Sequence, residues 1–382
     1  MTLPDQPVVP ALSGERFRVR YLIRGSESAA RDLAETIGNE QTVEFPDAAL
    51  PAGDIRDHIL GRLEQFEPLG EGRWAATISY AVEVAGRDLG QLLTVALGLS
   101  SLLEGITVDR LDLPEGLLGA FPGPRFGVAG LKERTGIHDR PLLCTALKPM
   151  GLTSENLADL AYRCAVSGLD MVKDDHGITD LPFSPFAERV ERCAAAVARA
   201  NAQTGLSCLY AANVTARPDV ALERARFARQ AGAGALLVSP FLTGFGLVQQ
   251  LAADDGIGLP VLCHPSLSGG FLAGGSKTGF SHYLLFGQLM RLAGADVSIF
   301  ANYGGRFPVS QEDSHQAVRG CRDAWGHIRP IYPMIGGGMQ VGRIAALREE
   351  FGEDSIFLVG GGLHTASRDL GQNIRDLLAA VG

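Results

Sequence analysis

The segment Gly168-Leu-Asp-Met-Val-Lys-Asp-Asp-His176 joins a strand-like apolar run to a tight cluster of charges. The run 169–172 is interrupted only by Asp170, and the charged stretch 173–176 follows it directly. Charges packed this closely after a strand are costly unless a ligand or a metal uses them. At the carboxyl end of a parallel strand, such a cluster is typical of an active site. The alternative interpretation is an ordinary solvated strand end.

Strand-like and helix-like segments alternate over the last two thirds of the chain. Eight strand candidates in roughly 250 residues predict a (β/α)8 barrel. A doubly wound open sheet is the competing architecture, but its early Gly-x-Gly-x-x-Gly turn is missing. The predicted strands are 142–147, 169–172, 208–214, 235–238, 261–264, 297–301, 331–335 and 356–359, and the helical segments between them include 155–166, 187–200, 220–231, 287–293 and 341–351.

The N-terminal third of the chain predicts a separate, small α+β sandwich domain. Its segments follow a β-α-β-β-α-β order, and the Pro/Gly-rich stretch 121–127 marks a boundary. We therefore predict an N-terminal domain over 1–125 and a barrel domain over 126–382. The recognisable elements of the first domain are strands at 17–23, 73–84 and 108–113 and helices at 28–37 and 89–103.

Composition narrows the classes of function. Hydrophobic residues make up 46% of the 382 residues, enough to bury a sizeable core. The net charge of −9 argues against a generic nucleic-acid binder, although backbone amides can still bind phosphate locally. We see no signal peptide and no apolar stretch of the roughly 20 residues that span a bilayer, and so expect a cytoplasmic protein. The six scattered cysteines are expected to be buried free thiols.

Polar or glycine-rich sequence follows nearly every predicted strand. In a barrel, the residues at these positions all face one mouth. This recurrence is stronger evidence for an active site than any one residue. The residues are Lys148, then Lys173 with Asp175 and His176, then Asn213, His264, the segment 302–306, and the glycine triplets 336–338 and 360–362.

Several of these positions carry alternative interpretations. Lys148 precedes Pro149, which favours extended backbone, and a partly desolvated lysine can act as a base; a structural ion pair is the alternative. His264 is either a catalytic residue at a strand end or an ordinary core histidine. The glycine triplets 336–338 and 360–362 let backbone N–H groups approach an anion, or they are plain turns.

Two of these segments resemble the large subunit of ribulose-bisphosphate carboxylase (RuBisCO). Leu147-Lys-Pro-Met-Gly-Leu-Thr153 is similar to the family pattern Lys-Pro-Lys-x-Gly-Leu-(Ser/Thr). The segment 168–176 is similar to Gly-(Leu/Ile)-Asp-x-x-Lys-Asp-Asp-Glu, and 110–114 resembles the family's strand before the barrel. The resemblance covers almost the whole chain. Because the chain is shorter than a carboxylase subunit and departs at key positions, it is identified as a RuBisCO-like protein (form IV).

The resemblance implies a divalent metal site, with Mg²⁺ expected. Lys173 would be carbamylated by carbon dioxide and Asp175 would be a second ligand. His176 stands where the family has glutamate, so a softer, neutral imidazole replaces a charge and another divalent metal is possible. Lys148 matches the lysine that handles the proton of the enediolate, and His264 matches a histidine close to the substrate hydroxyls.

Departures from the family pattern concern the two phosphates of a bisphosphate substrate. Pro265 and Ile299 stand where the family has an arginine and a histidine at one phosphate. Arg306 occupies the position of a mobile-loop lysine, and a guanidinium does not readily give up a proton, which argues against carboxylation. The other phosphate site keeps its backbone nest, so a single phosphate is implied. The residues of that nest are Gly337, Gly338, Gly360 and Gly361.

Partner expectations also follow from the resemblance. Glu40-Gln-Thr-Val-Glu44 resembles a segment that a second subunit contributes to the active site, which places Glu40 and Glu44 in the partner's site. We therefore expect a homodimer that acts on a small sugar phosphate, without a small subunit. No nucleic-acid or membrane partner is expected.

Three functions are compatible with these residues. The preferred one is decarboxylation of a 3-oxo-sugar-acid phosphate of the 3-oxo-isoapionate 4-phosphate type, because Arg306 can clamp a substrate carboxylate. The alternative is an enolase or isomerase of a ketose 1-phosphate, such as 5-methylthioribulose 1-phosphate. Both proceed through a metal-stabilised enediolate. A non-catalytic regulatory protein is the third, and the joint presence of Lys148, Lys173 and Asp175 disfavours it.

Overall fold

The computed structural model describes residues 12–365 and 367–382. They form two compact units, one of residues 12–122 with 269–288 and one of residues 123–268 with 289–382. The limits expected from the sequence, 1–125 and 126–382, remain a prediction. The units of the structure divide three residues earlier, and the return of 269–288 to the first unit was not expected. Residues 1–11, on which the expectation of no signal peptide depends, lie outside the described part.

The described residues form thirteen strands and fifteen α-helices. The strands are β1 (Arg16–Arg24), β2 (Arg62–Gly70), β3 (Arg73–Ala81), β4 (Ile106–Asp112), β5 (Leu142–Leu147), β6 (Met171–Asp174), β7 (Leu209–Asn213), β8 (Ala235–Val238), β9 (Val261–Cys263), β10 (Gly279–Phe280), β11 (Val297–Ala301), β12 (Tyr332–Gly336) and β13 (Ile356–Leu358). The helices are α1 (Glu27–Glu40), α2 (Val82–Ala85), α3 (Leu89–Ala96), α4 (Glu115–Leu118), α5 (Gly127–Thr135), α6 (Ser154–Val166), α7 (Phe186–Thr204), α8 (Pro218–Gln230), α9 (Pro240–Thr243), α10 (Phe245–Ala253), α11 (Leu289–Leu292), α12 (Gln311–Arg322), α13 (Ile344–Phe351), α14 (Gly361–Thr365) and α15 (Leu370–Val381).

The first unit is built on a five-stranded sheet in the order β10-β4-β1-β3-β2. Strand β1 lies antiparallel to both β3 and β4, and its side chains at 17, 19, 21 and 23 are fully buried, as expected for a strand with one covered face. Helix α1 begins after Ser26, whose side chain accepts a hydrogen bond from Ala29 N. The predicted apolar helix 89–103 is shorter, because α3 ends at Ala96 and a 3₁₀ turn follows.

The second unit is a closed barrel of eight parallel strands in the order β5-β6-β7-β8-β9-β11-β12-β13. Each strand lies within two residues of its predicted position. Every residue of β5 is buried, which is typical of a parallel strand covered on both faces. The expected fold class, a (β/α)8 barrel preceded by a small α+β domain, is therefore confirmed. All six cysteines are buried and carry thiols rather than disulfides, also as expected. Among the described helices, none combines the length and the hydropathy needed to cross a membrane.

The Asp296 carboxylate joins separate backbone segments at the amino-terminal end of the barrel. It is fully buried just before β11, and its carboxylate accepts hydrogen bonds from the backbone N–H groups of Phe126 at 2.7 Å, Gly127 at 2.8 Å and Val261 at 3.0 Å. Burial raises the pKa of this carboxyl group to about 6, although the three N–H donors lower it. The group is thus expected to titrate in a range where most surface carboxylates are already ionised.

We predict that Asp296 makes the stability of the barrel depend on pH. Because its folded-state pKa of about 6 lies above the ordinary aspartate value of 3.8, the folded protein binds this proton more tightly than the unfolded chain. The resulting stabilisation is fully present below about pH 3 and is lost as the pH rises through about 6. The advantage of wild type over Asp296→Asn in the free energy of unfolding should shrink by about 2 kcal/mol between pH 4 and pH 7. Urea denaturation at several pH values measures this, and a constant difference would contradict it.

Candidate active site

A cavity of about 490 Å³ lies at the carboxyl ends of the barrel strands. It brings together the ten barrel residues to which the sequence assigned a catalytic, metal-binding or phosphate-binding role, whereas Asn213 does not line it. Glu40 and Glu44 belong to the first unit, where both line a surface pocket beside α1. The ten residues, which line the barrel cavity together with others, are Lys148, Lys173, Asp175, His176, His264, Arg306, Gly337, Gly338, Gly360 and Gly361.

Asp175 lies between two basic groups on the cavity wall. Its Oδ2 atom forms an ion pair with Lys148 Nζ and accepts no hydrogen bond from any other described group. Its Oδ1 atom accepts a hydrogen bond from Gly177 N at 3.1 Å and lies 3.5 Å from His176 Nδ1. Burial would raise the pKa of this carboxyl, but His176, Lys148 and Gly177 together hold it far below its usual value. Asp175 is therefore an anion throughout the physiological pH range.

Lys173 is buried at the wall of the same cavity. Its Nζ donates a hydrogen bond to the backbone oxygen of Asp174 at 3.1 Å, and the residue is 1% exposed. Burial lowers the pKa of this amine, and the nearby Lys148 charge lowers it further, although Cys144 and Asp175 oppose the change. A lysine with a lowered pKa is more often neutral, and the neutral amine is its nucleophilic form.

His176 and His264 form a stacked pair. Their ring centroids are 4.2 Å apart and their planes differ by 11°. Burial, with the charges of Lys173 and His176, lowers the pKa of His264 to about 2, so its imidazole is neutral at physiological pH. Ser266 N donates a hydrogen bond to His264 Nδ1 at 3.2 Å. Since Nδ1 acts as the acceptor, Nε2 carries the proton and His264 is a neutral hydrogen-bond donor.

Asp174 does not face the cavity, a point missed when the charges were grouped by sequence alone. Its fully buried carboxylate accepts hydrogen bonds from Arg189 Nε at 3.1 Å, Tyr210 Oη at 2.9 Å and Asn213 N at 3.0 Å. Successive side chains of a strand point to opposite faces. This alternation was the available signal, because it separates Asp174 from both of its neighbours on β6.

Asn213 connects the buried Asp174 carboxylate to the loop after β6. Its Nδ2 atom donates to the backbone oxygens of Asp175 at 3.2 Å, His176 at 3.0 Å and Ile178 at 3.1 Å. Asn213 is fully buried, so these bonds are shielded from competing water. The backbone that carries Asp175 and His176 is therefore held from the neighbouring strand.

The glycine loop after β12 is closely packed. Gly337 and Gly338 have φ angles of +92° and +106°, which side-chain-bearing residues rarely adopt. A Cβ atom on Gly338 would lie 3.0 Å from Arg306 N. Gly360 and Gly361, by contrast, have no heavy atom within 4 Å of the position where a Cβ would lie. The two glycine pairs thus line the cavity with backbone, as the anion-nest hypothesis requires.

The described residues could hold the implied divalent metal only if Lys173 is carbamylated. Asp175 offers the oxygen Oδ2, which accepts no other hydrogen bond once Lys148 moves away, and His176 Nδ1 lies 3.5 Å from the other oxygen, Oδ1. In residues 12–365 and 367–382, no three His, Cys, Asp or Glu side chains are grouped so that they could hold a metal ion. An ammonium group has no lone pair to donate, so Lys173 completes the set only as a carbamate. Its buried amine, with a lowered pKa, is suited to that modification.

Comparison with known proteins places these features in a family. The family described as "Ribulose bisphosphate carboxylase large chain, catalytic domain" matches residues 127–369. The chain is 37% identical to ribulose bisphosphate carboxylase-like protein 1 of Rhodopseudomonas palustris, over 96% of this chain and 98% of that protein. It is 34% identical to 5-methylthioribulose-1-phosphate isomerase of Rhodospirillum rubrum, over 96% of both.

Further relatives, and solved structures with Rubisco-like or Rubisco names, also match the chain. A 2,3-diketo-5-methylthiopentyl-1-phosphate enolase of Bacillus pumilus is 32% identical over 83% of this chain and 79% of that protein. The crystal structure of a Rubisco-like protein from Rhodopseudomonas palustris matches with a TM-score of 0.85 and 35% identity, over 96% of this chain and 97% of that one. A dimeric archaeal Rubisco from Hyperthermus butylicus matches with a TM-score of 0.85 and 25% identity, over 96% and 91%.

We predict that the partners of Asp174 differ sharply in their effect on stability. Arg189→Met should lower the free energy of unfolding by about 3–5 kcal/mol, because it leaves a buried carboxylate without its counter-charge. Tyr210→Phe removes one hydrogen bond and should lower it by about 1–2 kcal/mol. Arg192→Met is the matched control: this residue of the same helix makes a half-exposed ion pair with Glu188, worth about 0.5 kcal/mol or less. Equal losses for Arg189→Met and Arg192→Met in urea denaturation would contradict the anchoring role.

Proposed function

This chain belongs to the ribulose bisphosphate carboxylase large-chain family as a RuBisCO-like protein, and on that premise we propose that it catalyses an enolisation-type proton transfer on a ketose 1-phosphate. The observation that carries the proposal is the grouping of Lys148, Asp175 and neutral His264 in one cavity with two glycine loops. The names of the isomerase and enolase relatives favour this reaction over the decarboxylation preferred from the sequence.

The proposed proton chemistry uses Lys148 and His264. As its ion pair with Asp175 opens, Lys148 first loses its ammonium proton to solvent. The neutral Nζ then removes a proton from the carbon beside the substrate carbonyl; the electron pair of that C–H bond forms a carbon–carbon double bond, and the π pair of the carbonyl moves to its oxygen. Protonation at the other carbon of the enediolate completes an isomerisation, whereas protonation of the oxygen completes an enolisation. Asp175 holds Lys148 in place before the substrate binds. His264 donates a hydrogen bond from Nε2 to a substrate oxygen without adding a full charge.

A divalent cation, with Mg²⁺ as the expected ion, would be held by Asp175, His176 and carbamylated Lys173, and when bound it supplies positive charge for the enediolate oxygens. The carbon dioxide of the carbamate is then a structural part of the site. These assignments of ligands rest on the family resemblance and on the fit described above.

The lining of the cavity suits a substrate with one phosphate. Gly337, Gly338, Gly360 and Gly361 are proposed to bind the phosphate through backbone N–H groups. Pro265 and Ile299 line the same cavity and offer an apolar surface. An apolar substituent such as a methylthio group matches that surface, which supports a 5-methylthioribulose-1-phosphate-like substrate.

Decarboxylation of a 3-oxo-sugar-acid phosphate remains the second candidate. It is favoured by Arg306, which lines the cavity and whose guanidinium can bind a carboxylate through two parallel hydrogen bonds. Release of carbon dioxide from such a substrate, without activity on the ketose 1-phosphate, would decide in its favour.

A two-fold homodimer is the assembly that we propose, with Glu40 and Glu44 contributed to the partner's cavity. Solved relatives are described as dimeric and octameric Rubisco. Sedimentation of the purified protein tests this, and an active monomer at assay concentration would contradict it.

We predict that Lys173→Ala abolishes turnover and leaves the fold intact, because the proposed metal site loses a ligand. Lys148→Ala should lower kcat/KM by about 10²–10⁴-fold through loss of the acid–base group. Exchange of the substrate proton in D₂O, followed by NMR with 5-methylthioribulose 1-phosphate, measures both. Lys132→Ala is the control, since Lys132 pairs with Asp354 outside the cavity, and it should retain activity. Full activity of Lys173→Ala with a chelator present and bicarbonate absent would sink the proposal.

We also predict that a monophosphate binds more tightly than a bisphosphate. A second phosphate placed against Pro265 and Ile299 would lose hydration without gaining a hydrogen-bond donor, at a cost of several kcal/mol. Ribulose bisphosphate should therefore bind at least about tenfold more weakly than a ketose 1-phosphate. Competition binding by calorimetry measures the ratio. Equal affinities would mean that a second phosphate site exists elsewhere in the cavity.

A further inference from the structure

The loop that carries Arg306 lies between β11 and α12. It starts after Asn302 and ends at Ser310, whose side chain caps α12. Arg306 is exposed near its centre, and its backbone N–H donates a hydrogen bond to the oxygen of Gly337 at 3.0 Å. The centre of the loop is thus tied to the glycine loop that is proposed to bind phosphate.

One carboxylate binds both ends of this loop. Glu350, near the end of α13, accepts hydrogen bonds from Tyr303 Oη at the start of the loop and from Gln311 Nε2 just after its end, the latter at 2.8 Å. His315 Nε2, one turn further along α12, lies 2.6 Å from the same carboxylate. Burial alone would raise the pKa of Glu350, but the hydrogen bonds from Gln311, His315 and Tyr303 lower it. The carboxylate is therefore ionised when it makes these contacts.

Arg343 adds a second link from the same side. Its Nη1 atom donates to the backbone oxygen of Gly304 at 2.9 Å, and its guanidinium lies 5.3 Å from the centre of the Tyr303 ring. Gly304 has a φ angle of +64°, and a Cβ atom on it would lie 2.7 Å from Arg343 Nη1, so a side chain there would be strained and would displace the guanidinium. Arg343 and Glu350 both follow the glycine loop 336–338 in the chain. The Arg306 loop is consequently bound at its ends and centre to the next βα unit of the barrel.

We propose that Glu350 is a positioning residue for Arg306. It acts through Tyr303 and Gln311 to keep the loop against the glycine loop, with Arg306 in the wall of the cavity. Glu350 itself does not line the cavity and touches no proposed substrate position. The Glu350 side chain is 17% exposed, and none of its three partners, Tyr303, Gln311 and His315, is buried in the barrel core. Its loss should therefore open the loop locally and leave the barrel folded.

Tryptic cleavage after Arg306 reports this opening without a substrate. Glu350→Gln and Tyr303→Phe should each accelerate cleavage between Arg306 and Phe307 by about fivefold, since the first replaces a charged acceptor oxygen by an NH2 group and the second removes the hydroxyl that donates to Glu350. Glu349→Gln is the matched control, because Glu349 is the exposed neighbour on the same helix and loses the same charge. Mass spectrometry identifies the cleavage site.

The outcomes separate local positioning from general loosening. The inference is overturned if Glu350→Gln and Tyr303→Phe are cut at the wild-type rate, or if Glu349→Gln is cut as fast as Glu350→Gln. Tyr303→Phe removes a single hydroxyl group, so it keeps the test decisive if Glu350→Gln does not fold.

A kinetic arm rests on the proposed function. With 5-methylthioribulose 1-phosphate, Glu350→Gln should raise KM about fivefold and change kcat little, because fewer molecules hold the loop ready to bind substrate. A merely structural role would lower kcat through loss of folded enzyme and leave KM unchanged, and that result counts against the inference. If wild type does not act on this substrate, the proposed function fails, and the proteolysis result alone decides the role of Glu350.

Discussion

The buried pairing of Asp174 with Arg189 is the interaction on which the rest of the site depends. A carboxylate buried at the end of a barrel strand is tolerable only with a full set of partners, and Arg189, Tyr210 and Asn213 provide them. The pairing fixes the rotation of β6, so Lys173 and Asp175, the residues on either side, must face the cavity. The chemistry proposed for this protein therefore depends on a buried ion pair that does not face the cavity.

The barrel could be predicted from the sequence because its signals are local. Each parallel strand is an apolar run with a polar or glycine-rich end, and the eight runs lie within two residues of the observed strands. Two strands of the first unit were not predicted, for two different reasons. Strand β2 is mostly exposed and carries no buried face to detect. Strand β10 is two residues long and lies about 170 residues away from its partner β4 in the chain.

The residues that form the site could be predicted from the sequence, but the contacts between them could not. Residues that end parallel strands must meet at one mouth, and this placed Lys148, His264 and both glycine loops together in advance. The stack of His176 on His264 and the grip of Glu350 on Tyr303 depend on three-dimensional packing between separate βα units. Neither contact is signalled by a characteristic spacing of residues in the sequence. The preferred reaction also changed, because Arg306 suits a carboxylate in principle while the relatives' names favour proton transfer.

The path of the chain through the first unit has a consequence for synthesis. Its sheet is completed by β10, which pairs with β4 through Thr107 and Val108, and Gln288 donates to and accepts from the backbone of Leu111 at 2.8 Å. The ribosome therefore releases the first four strands long before the fifth exists. Until then the edge of β4 stays open, and nascent chains with open edges can pair with one another. The small domain cannot be excised or transplanted as a continuous gene fragment without losing that edge strand.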